Sequence, residues 1–390
     1  MPTILIIGGG VAGPVAALRF ARDGHKCIIF ERASGPQTIG GAINLAPNGF
    51  RMITTLGVGE ETKKRACVVP EIEIHDEKGS LLGTFSNCSK DGFTGLRLMR
   101  SDLQAVLLEE IQRQGITVNY RKILSAIREE NGKVMATFLD GTTAEGDMLI
   151  GADGIHSKVR EYVVGDTSIQ PQYTGQSLIY GIVPMTAVPD VDAATLPKTT
   201  AVFCRRGFFA AAFTNETRAR LYWFCGTEKA RPEFSVDAAA LRAEATARFG
   251  AVFAPFPQCI AATNEFFAWP TFRLPELDAW YRGRVVLVGD AAHALPPNGG
   301  QGVSQAMEDV FCLARVVAAG KDLARFQELR VPRINKLRGN KAAQGREKEK
   351  SEWGLWATSW MVWSALSLYR VWTYFWAYDM FAYDIDKIEV

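Results

Sequence analysis

One stretch near the start of the chain, IIGGGVAGPVAAL at residues 6–18, limits the possible folds more than any other. The apolar, β-branched run TILII comes before its glycines and predicts a buried parallel strand, and the alanine-rich run after them predicts a helix. The first glycine permits a tight turn, the second lets the backbone approach a pyrophosphate, and the third lets helix and strand pack closely. The residues assigned to this phosphate site are Gly8, Gly10, Val11, Ala12 and Gly13.

A second predicted strand, KCIIF, ends at Glu31. A carboxylate at this point is placed to accept hydrogen bonds from the ribose 2′-hydroxyl of an adenosine, and it would repel a 2′-phosphate. Arg32, the next residue, is assigned to the same cofactor site. Together these features predict a dinucleotide-binding unit. They leave NAD and FAD open, because both cofactors contain the same adenosine diphosphate half.

Two later segments favour FAD. The segment DMLIGADGIHSKVR, residues 147–160, predicts a strand that ends at Asp153 before a helix. The segment RVVLVGDAAHALPPNGGQG, residues 284–302, predicts a buried strand that ends at Asp290, then a glycine-rich loop and an apolar helix. Acids at the carboxyl ends of strands lie in the crevice where open α/β sheets bind ligands. Asp290 could accept ribityl hydroxyls, and the start of the helix would stabilise negative charge on a reduced flavin.

These motifs, with GGAINLAPNG at 40–49 and LMRSDLQAVLLEEI at 98–111, resemble those of the class A FAD-dependent monooxygenases, which have the fold of para-hydroxybenzoate hydroxylase. The resemblance implies an α/β fold: a Rossmann-like FAD-binding domain interleaved with a mostly antiparallel β-sheet substrate domain, plus C-terminal helices. The implied parts are 1–70, 97–168 and 276–330 for FAD, 71–96 and 169–275 for substrate, and a Trp-rich helical region at 331–390.

The resemblance also implies roles for single residues. Glu31 would hold the ribose, Arg100 would reach the pyrophosphate or ribityl region, and Asp153 would belong to a motif shared by FAD and the nicotinamide cofactor. Asp290 would bind the ribityl chain, and His293 is expected to be structural. The other residues assigned to the FAD site are Arg32, Gly41, Ala42, Pro297, Gly300, Gly302 and Val303.

The implied activity is that of a flavoprotein monooxygenase. NADPH or NADH would reduce the FAD, and one oxygen atom of O₂ would then be inserted into the substrate. One fungal branch of the family activates phenols with an Arg and a Tyr, and those positions here read Tyr180 and Phe213. We therefore expect an apolar aromatic or polycyclic substrate of secondary metabolism, with hydroxylation, epoxidation and Baeyer–Villiger insertion all open. Tyr180 is the catalytic candidate, and an ordinary core tyrosine is the other interpretation.

Other function classes make different predictions. An FAD-dependent oxidase or dehydrogenase without oxygen transfer is the alternative, and it would consume substrate without NAD(P)H. A net charge of +2 provides no broad basic face, so nucleic acid is not an expected partner. The four histidines and seven cysteines show no metal-ligand spacing, so no metal is expected. Free cysteines and the lack of a signal-peptide pattern favour a cytoplasmic location.

The C-terminal region has an unusual composition. Six of the nine tryptophans follow residue 350, and Trp353, Trp356, Trp360 and Trp363 lie on one face of a predicted helix. The uncharged run at 353–369 reaches only the lower length limit for a membrane span. Three interpretations stay open for 353–378: helices packed on the body or over the active site, an anchor on or inserted into a membrane, or a dimer surface.

Overall fold

The computed structural model describes residues 1–36, 40–227, 237–295, 300–338 and 383–390, together with Gly354 and Met361. The strands in this part of the chain are β1 (Thr3–Ile7), β2 (Lys26–Phe30), β3 (Ala42–Leu45), β4 (Cys67–Val68), β5 (Glu71–Asp76), β6 (Leu81–Ser86), β7 (Leu96–Met99), β8 (Thr117–Asn119), β9 (Leu124–Glu130), β10 (Lys133–Phe138), β11 (Thr143–Gly146), β12 (Met148–Gly151), β13 (Gln172–Pro184), β14 (Thr199–Cys204), β15 (Gly207–Phe213), β16 (Arg220–Thr227), β17 (Glu265–Arg273), β18 (Tyr281–Arg282) and β19 (Val285–Leu287). The helices are α1 (Ala12–Arg22), α2 (Pro47–Thr55), α3 (Gly59–Lys64), α4 (Arg100–Arg113), α5 (Lys158–Val164), α6 (Ala238–Phe249), α7 (Phe256–Ala262), α8 (Asp290–His293), α9 (Gly302–Ala318) and α10 (Leu323–Arg338).

A six-stranded sheet carries the nucleotide-binding motif. Its strand order is β18-β19-β12-β1-β2-β8, and every pair is parallel except β18 with β19. Strand β1 is central, and its residues from Ile4 to Ile7 are buried, as the apolar run predicts. The ends of β1, β12 and β19 lie at one edge, because Ile7 pairs with Gly151 and Gly151 with Leu287. This edge is where open α/β sheets bind ligands.

A seven-stranded sheet covers that edge. Its order is β17-β13-β16-β15-β14-β5-β6, antiparallel except between β14 and β5. Strands β5 and β6 form a hairpin at one side of this sheet and β13 to β17 form the rest, so two separate stretches of chain supply the sheet. One face packs on α6 and α7 through a fully buried aromatic core that includes Phe209, Trp223 and Phe249. The opposite face is therefore available to form a binding site.

Smaller elements join the two sheets. The three-stranded sheet β3-β7-β4 contributes to the cavity between them, and helix α9 is mostly buried and packs on α1, α2 and α10. Helix α10 runs through residue 331, so the boundary predicted there falls inside a helix. The end of the chain packs on these helices, because Arg315 donates to the carbonyl oxygen of Ile385 and Arg325 to that of Glu389 at 2.9 Å.

The predicted Trp-rich helices at 353–378 lie outside the described residues, apart from Gly354 and Met361. Among the residues that are described, no helix has the length and apolar character needed to cross a membrane. The three interpretations of this region therefore stay open.

Candidate active site

The turn after β1 is packed so tightly that only glycine fits at two positions. Gly8 has a φ of +112°, and a Cβ there would lie 2.3 Å from the carbonyl oxygen of Ala152. A Cβ on Gly13 would lie 1.9 Å from the carbonyl oxygen of Gly8. Gly10 faces the cavity, and the one described atom within 4 Å of a Cβ there would be a guanidinium nitrogen of Arg100, at 3.4 Å. The turn thus brings bare backbone and the start of α1 to the cavity, as a phosphate site requires.

Glu31 joins this turn to the end of β2. Its Oε2 accepts the backbone N–H of Gly9 at 2.6 Å, and its Oε1 accepts that of Ala33 at 2.7 Å. Each carboxylate oxygen has a second lone pair, so the group can still accept a ribose hydroxyl. Arg32 is exposed and does not line the cavity. Glu31 therefore has a structural role in the turn that the spacing of the motif does not reveal.

A cavity of about 1700 Å³ lies between the two sheets. This exceeds the range of roughly 300–1,000 Å³ typical of a site for one small molecule, and it provides room for a dinucleotide and a substrate. Its roof comes from β14, β15 and β16 and is largely apolar, with Phe203, Phe208, Ala210, Ala212 and Phe224 among its residues. The residues assigned to the cofactor from sequence that line it are Gly10, Val11, Ala12, Ala42, Arg100, Asp290, Gly300, Gly302 and Val303.

Asp290 lies just after β19 and extends into the cavity. Gly289 before it has a φ of +62°, and a Cβ there would lie 2.9 Å from Ala306, so the backbone turns sharply at this point. The Asp290 side chain is exposed to the interior of the cavity, and the surrounding walls still remove much of its hydration. Burial raises the pKa of this carboxyl group, although nearby His293 and Arg100 act in the opposite direction.

Three structural observations indicate that the cavity fits FAD. Gly10 leaves open the space that a Cβ would occupy. Gly300 has a φ of +58°, and because it has no side chain its backbone can lie close to Asn44. An acidic side chain, Asp290, and a cationic one, Arg100, reach the cavity from different elements. Helix α9 begins at Gly302 in the cavity wall, so its positive end is directed at the site. The glycine backbone suits the phosphates, Asp290 suits the ribityl hydroxyls, and the start of α9 suits the flavin ring.

Two residues assigned from sequence have other contacts. The Asp153 carboxylate accepts hydrogen bonds from the Ser157 hydroxyl at 2.5 Å and from the N–H groups of Lys158 and Val159 at 2.7 and 3.1 Å. It therefore holds the start of α5, and its neighbour Gly154 lines the cavity instead. A cofactor contact for Asp153 stays a prediction. Pro297 lies outside the described residues.

Tyr180, the catalytic candidate, is 3% exposed and does not line the cavity. Its hydroxyl accepts the indole N–H of Trp269 at 2.9 Å, and its ring stacks on Phe267 with centroids 5.0 Å apart. These are the surroundings of a core tyrosine, and its catalytic role stays a prediction. Phe213 packs in the aromatic core on the far side of the roof, while Tyr222 faces the cavity and lies against Gly41.

Sequence reasoning did not identify a buried ionic network behind the Asp290 loop. Arg330 is fully buried and donates to Asp309 and Glu308, at 2.7 Å in each case. Asp309 also accepts the Gly289 N–H at 2.8 Å and lies 2.6 Å from His293 Nε2, so the structural role expected for His293 fits its position. Two adjacent acids inside the apolar run AMEDVFCLARVV were the available signal, because buried acids require cationic partners.

Sequence reasoning also did not identify Arg97, whose side chain lines the cavity. Its signal was a single cation in the otherwise apolar strand LRLM. Nothing in the sequence shows which face of that strand is covered, so the arginine was not distinguished from a surface residue.

The fold and the cavity define a flavin-dependent oxidoreductase with a roofed active site. A family model described as "FAD binding domain" matches residues 1–323. The 3-amino-4-hydroxybenzoate 2-monooxygenase PtmB3 of Streptomyces platensis is 30% identical over 369 residues, covering 89% of this chain and 88% of the relative. The 2-heptyl-3-hydroxy-4(1H)-quinolone synthase of Pseudomonas aeruginosa is 31% identical over 381 residues, covering 95% and 94%. The chain belongs to this FAD-binding family and is an FAD-dependent monooxygenase.

A solved structure agrees with this assignment. A variant of Klebsiella pneumoniae HpxO, complexed with FAD, superimposes with a TM-score of 0.81 at 25% identity, covering 98% of this chain and 99% of that one. The agreement extends over both sheets, so the α/β fold expected from the sequence motifs is confirmed.

Proposed function

We propose that this monooxygenase inserts one oxygen atom into an aromatic or polycyclic small molecule held under the apolar roof. The observation that supports this is the continuity of the cavity, which runs from the glycine turn to the aromatic side chains of the seven-stranded sheet. The two relatives named above have an aminohydroxybenzoate and an alkylquinolone in their names, and both are aromatic. Secondary metabolism is the proposed setting.

The side chains and backbone around the cavity would bind the FAD and keep water away from it. Asp290, Arg100 and the backbone at Gly10–Ala12 would hold the FAD, which when bound supplies the redox and oxygen chemistry. The start of α9 at Gly302–Val303 would stabilise negative charge on the reduced ring. The roof excludes water, which otherwise diverts the oxygen into hydrogen peroxide. Tyr180 supports this roof, because its ring lies 5.5 Å from that of Tyr222.

The first experiment is an anaerobic titration of the purified protein with NADPH and then with NADH, with and without candidate aromatics. Air is then readmitted to follow reoxidation of the flavin. A parallel sample receives isotopically labelled O₂, so that oxygen in the product can be traced. We expect the flavin absorbance to bleach with at least one reductant when a suitable aromatic is bound, and to recover in air. One labelled oxygen atom in the product for each NAD(P)H consumed identifies a monooxygenase. Substrate oxidation without NAD(P)H would instead identify the oxidase or dehydrogenase alternative.

Asp290→Ala should weaken FAD binding by about tenfold to a hundredfold, because hydrogen bonds to a charged acceptor contribute roughly 1.5–3 kcal/mol. Titration of apoprotein with FAD, followed by flavin fluorescence, measures this change. Glu276→Ala is the matched control, since Glu276 is an acid in the wall of the same cavity that pairs with Arg338 at 3.9 Å. Unchanged FAD affinity in Asp290→Ala would contradict the assignment of the ribityl site.

We also propose a cytoplasmic location, with contact to a membrane surface through the Trp-rich region as the finer prediction. Deletion of 351–378 keeps the terminal residues, of which Tyr383 packs on Arg333 at 4.2 Å from guanidinium carbon to ring centroid. If the region binds lipid, the full chain sediments with anionic vesicles and the deletion variant does not. Absence of sedimentation by the full chain removes the membrane interpretation and leaves packing or dimerisation.

A further inference from the structure

We propose that Arg97 binds an anionic oxygen carried by the aromatic substrate, such as a carboxylate or a phenolate, and so determines specificity for acidic ring compounds. This inference rests on the proposed function and specifies its substrate class. It replaces the purely apolar substrate expected from sequence with one that has a charged edge.

The position of Arg97 is unusual for a cation. It lies in β7, the central strand of the small sheet, opposite Asn44 of β3 and Cys67 of β4. Its side chain lines the cavity, and its Nε is buried and has no hydrogen-bond partner among the described residues. In the ranges that the structure describes, no acidic side chain forms an ion pair with it. A buried cation without a counter-charge is unfavourable, so the site is suited to an incoming anion.

The neighbours of Arg97 do not supply a negative charge. Burial raises the pKa of the Tyr222 hydroxyl far above neutrality and the pKa of the Cys67 thiol to about 11, so both groups stay protonated. Burial lowers the pKa of Arg97 to about 10, which leaves the guanidinium charged at neutral pH. The Arg97 guanidinium therefore stays charged, while the Tyr222 and Cys67 side chains beside it are neutral.

Three further residues of the cavity wall, among them Asn44 beside Arg97, have polar atoms without partners in the described chain. The side-chain oxygens of Asn44, Asn87 and Thr199 are buried and accept no hydrogen bond within the described chain, and all three residues line the cavity. Thr199 lies in one row of the roof with Ala212 and Tyr222. These oxygens can accept hydrogen bonds from ring N–H or O–H groups next to the anionic oxygen.

The location also suits the chemistry. Ala42, which is assigned to the flavin loop, and Asn44 are alternate residues of β3, so they lie on one face of that strand, and both line the cavity. Asn44 is the ladder partner of Arg97. An anionic oxygen bound at Arg97 would therefore place the attached ring close to the expected flavin edge and under the roof.

Two other arginines of the cavity wall, Arg248 and Arg338, have protein partners. Arg248 donates to the carbonyl oxygen of Gly226 at 3.0 Å, and Arg338 lies 3.9 Å from a carboxylate oxygen of Glu276. Arg248 is therefore a matched control for the loss of one positive charge from the same cavity, because its guanidinium is already engaged.

The test uses two probes of one shape, naphthalene-2-carboxylate and naphthalene-2-carboxamide. Their dissociation constants from the FAD-loaded enzyme are measured by calorimetry without NAD(P)H, so the result does not depend on turnover. We expect the wild type to bind the carboxylate at least about tenfold more tightly than the amide. Arg97→Met should bring the ratio close to one, Arg97→Lys should keep part of it, and Arg248→Met should leave it unchanged.

FAD content and thermal unfolding show whether each variant is folded. Arg97→Met leaves no carboxylate without its partner, so we expect it to fold. If it does not fold, the binding ratio of Arg97→Lys is compared with that of the wild type, and a reduced ratio supports the proposal. A wild type that does not bind the carboxylate more tightly than the amide overturns the proposal, as does an Arg97→Met variant that keeps the preference. Either result leaves NAD(P)H-dependent oxygen transfer intact, so failure here is distinct from failure of the proposed function.

Discussion

Replacing Arg330 with leucine should lower the free energy of unfolding by about 3–5 kcal/mol, the usual cost of leaving buried charges without their partner. Arg330 is fully buried between Asp309 and Glu308 and also donates to the side-chain oxygen of Gln305 at 2.8 Å. Denaturation in urea, followed by circular dichroism, measures the change. Arg325→Leu on the same helix is the control, because its contacts with Glu328 and with the carbonyl oxygen of Glu389 are at the surface, where an ion pair contributes about 1 kcal/mol or less.

The effect of Arg330→Leu should depend on pH. In the wild type, burial opposes ionisation of Asp309, yet His293 and Arg330 hold its pKa below the ordinary value. Its contribution to stability is therefore present above the unfolded pKa of about 3.9 and is lost as the pH falls through the lowered folded value. Without Arg330, we expect burial to raise that pKa, so the unpaired charge is most costly at neutral pH.

The difference between wild type and Arg330→Leu should accordingly narrow as the pH falls from about 7 to about 5. A variant with wild-type stability at neutral pH would show that the network contributes nothing to the fold. We also expect loss of FAD, because Asp309 accepts the N–H of Gly289, which immediately precedes Asp290.

Replacing Gly13 with valine should abolish stable FAD binding and destabilise the nucleotide-binding sheet by about 3 kcal/mol or more, at the upper end of the cost of overpacking. Even a Cβ at this position would lie 1.9 Å from the carbonyl oxygen of Gly8, so helix α1 must move away from β1. That movement separates the start of the helix from the phosphate site. Flavin content after purification and the unfolding midpoint measure the two effects.

Gly35→Ala is the control for Gly13→Val, because a Cβ at Gly35 meets no atom within 4 Å and the residue has no left-handed φ. It should keep its flavin and its stability within about 0.5 kcal/mol. Full FAD content in Gly13→Val would contradict the interpretation of the glycine turn as a closely packed phosphate site.

Much of the cofactor half of the site was predictable because its signals are local. The glycine turn, the strand before it and Glu31 lie within one strand-turn-helix-strand unit, where residue spacing alone restricts the geometry. Nine residues assigned to FAD from sequence line the cavity, from Gly10 to Val303. The mostly antiparallel sheet of the roof was expected as well, because the resemblance to the family implies it.

The side chains that distinguish this enzyme were not predictable in the same way. Tyr180 was the catalytic candidate by motif position, yet its hydroxyl is hydrogen-bonded to Trp269 and it does not line the cavity. Phe213, at the other motif position, faces the helices behind the roof. Which face of a strand is covered depends on what packs against it. For β15 and β16 those partners, α6 and α7, are separate segments of the chain.

The sequence by itself determined the nucleotide-binding unit, the family motifs and the existence of both sheets, because backbone conformation and hydrophobic periodicity are properties of neighbouring residues. Only the tertiary structure decided that Arg97 faces the cavity with no ion pair to a described residue, that Asp153 holds a helix start, and that Arg330 neutralises two acids of α9. The physical reason is that desolvation and charge pairing depend on distances between residues far apart in the chain, and those distances are set only when the sheets and helices pack together.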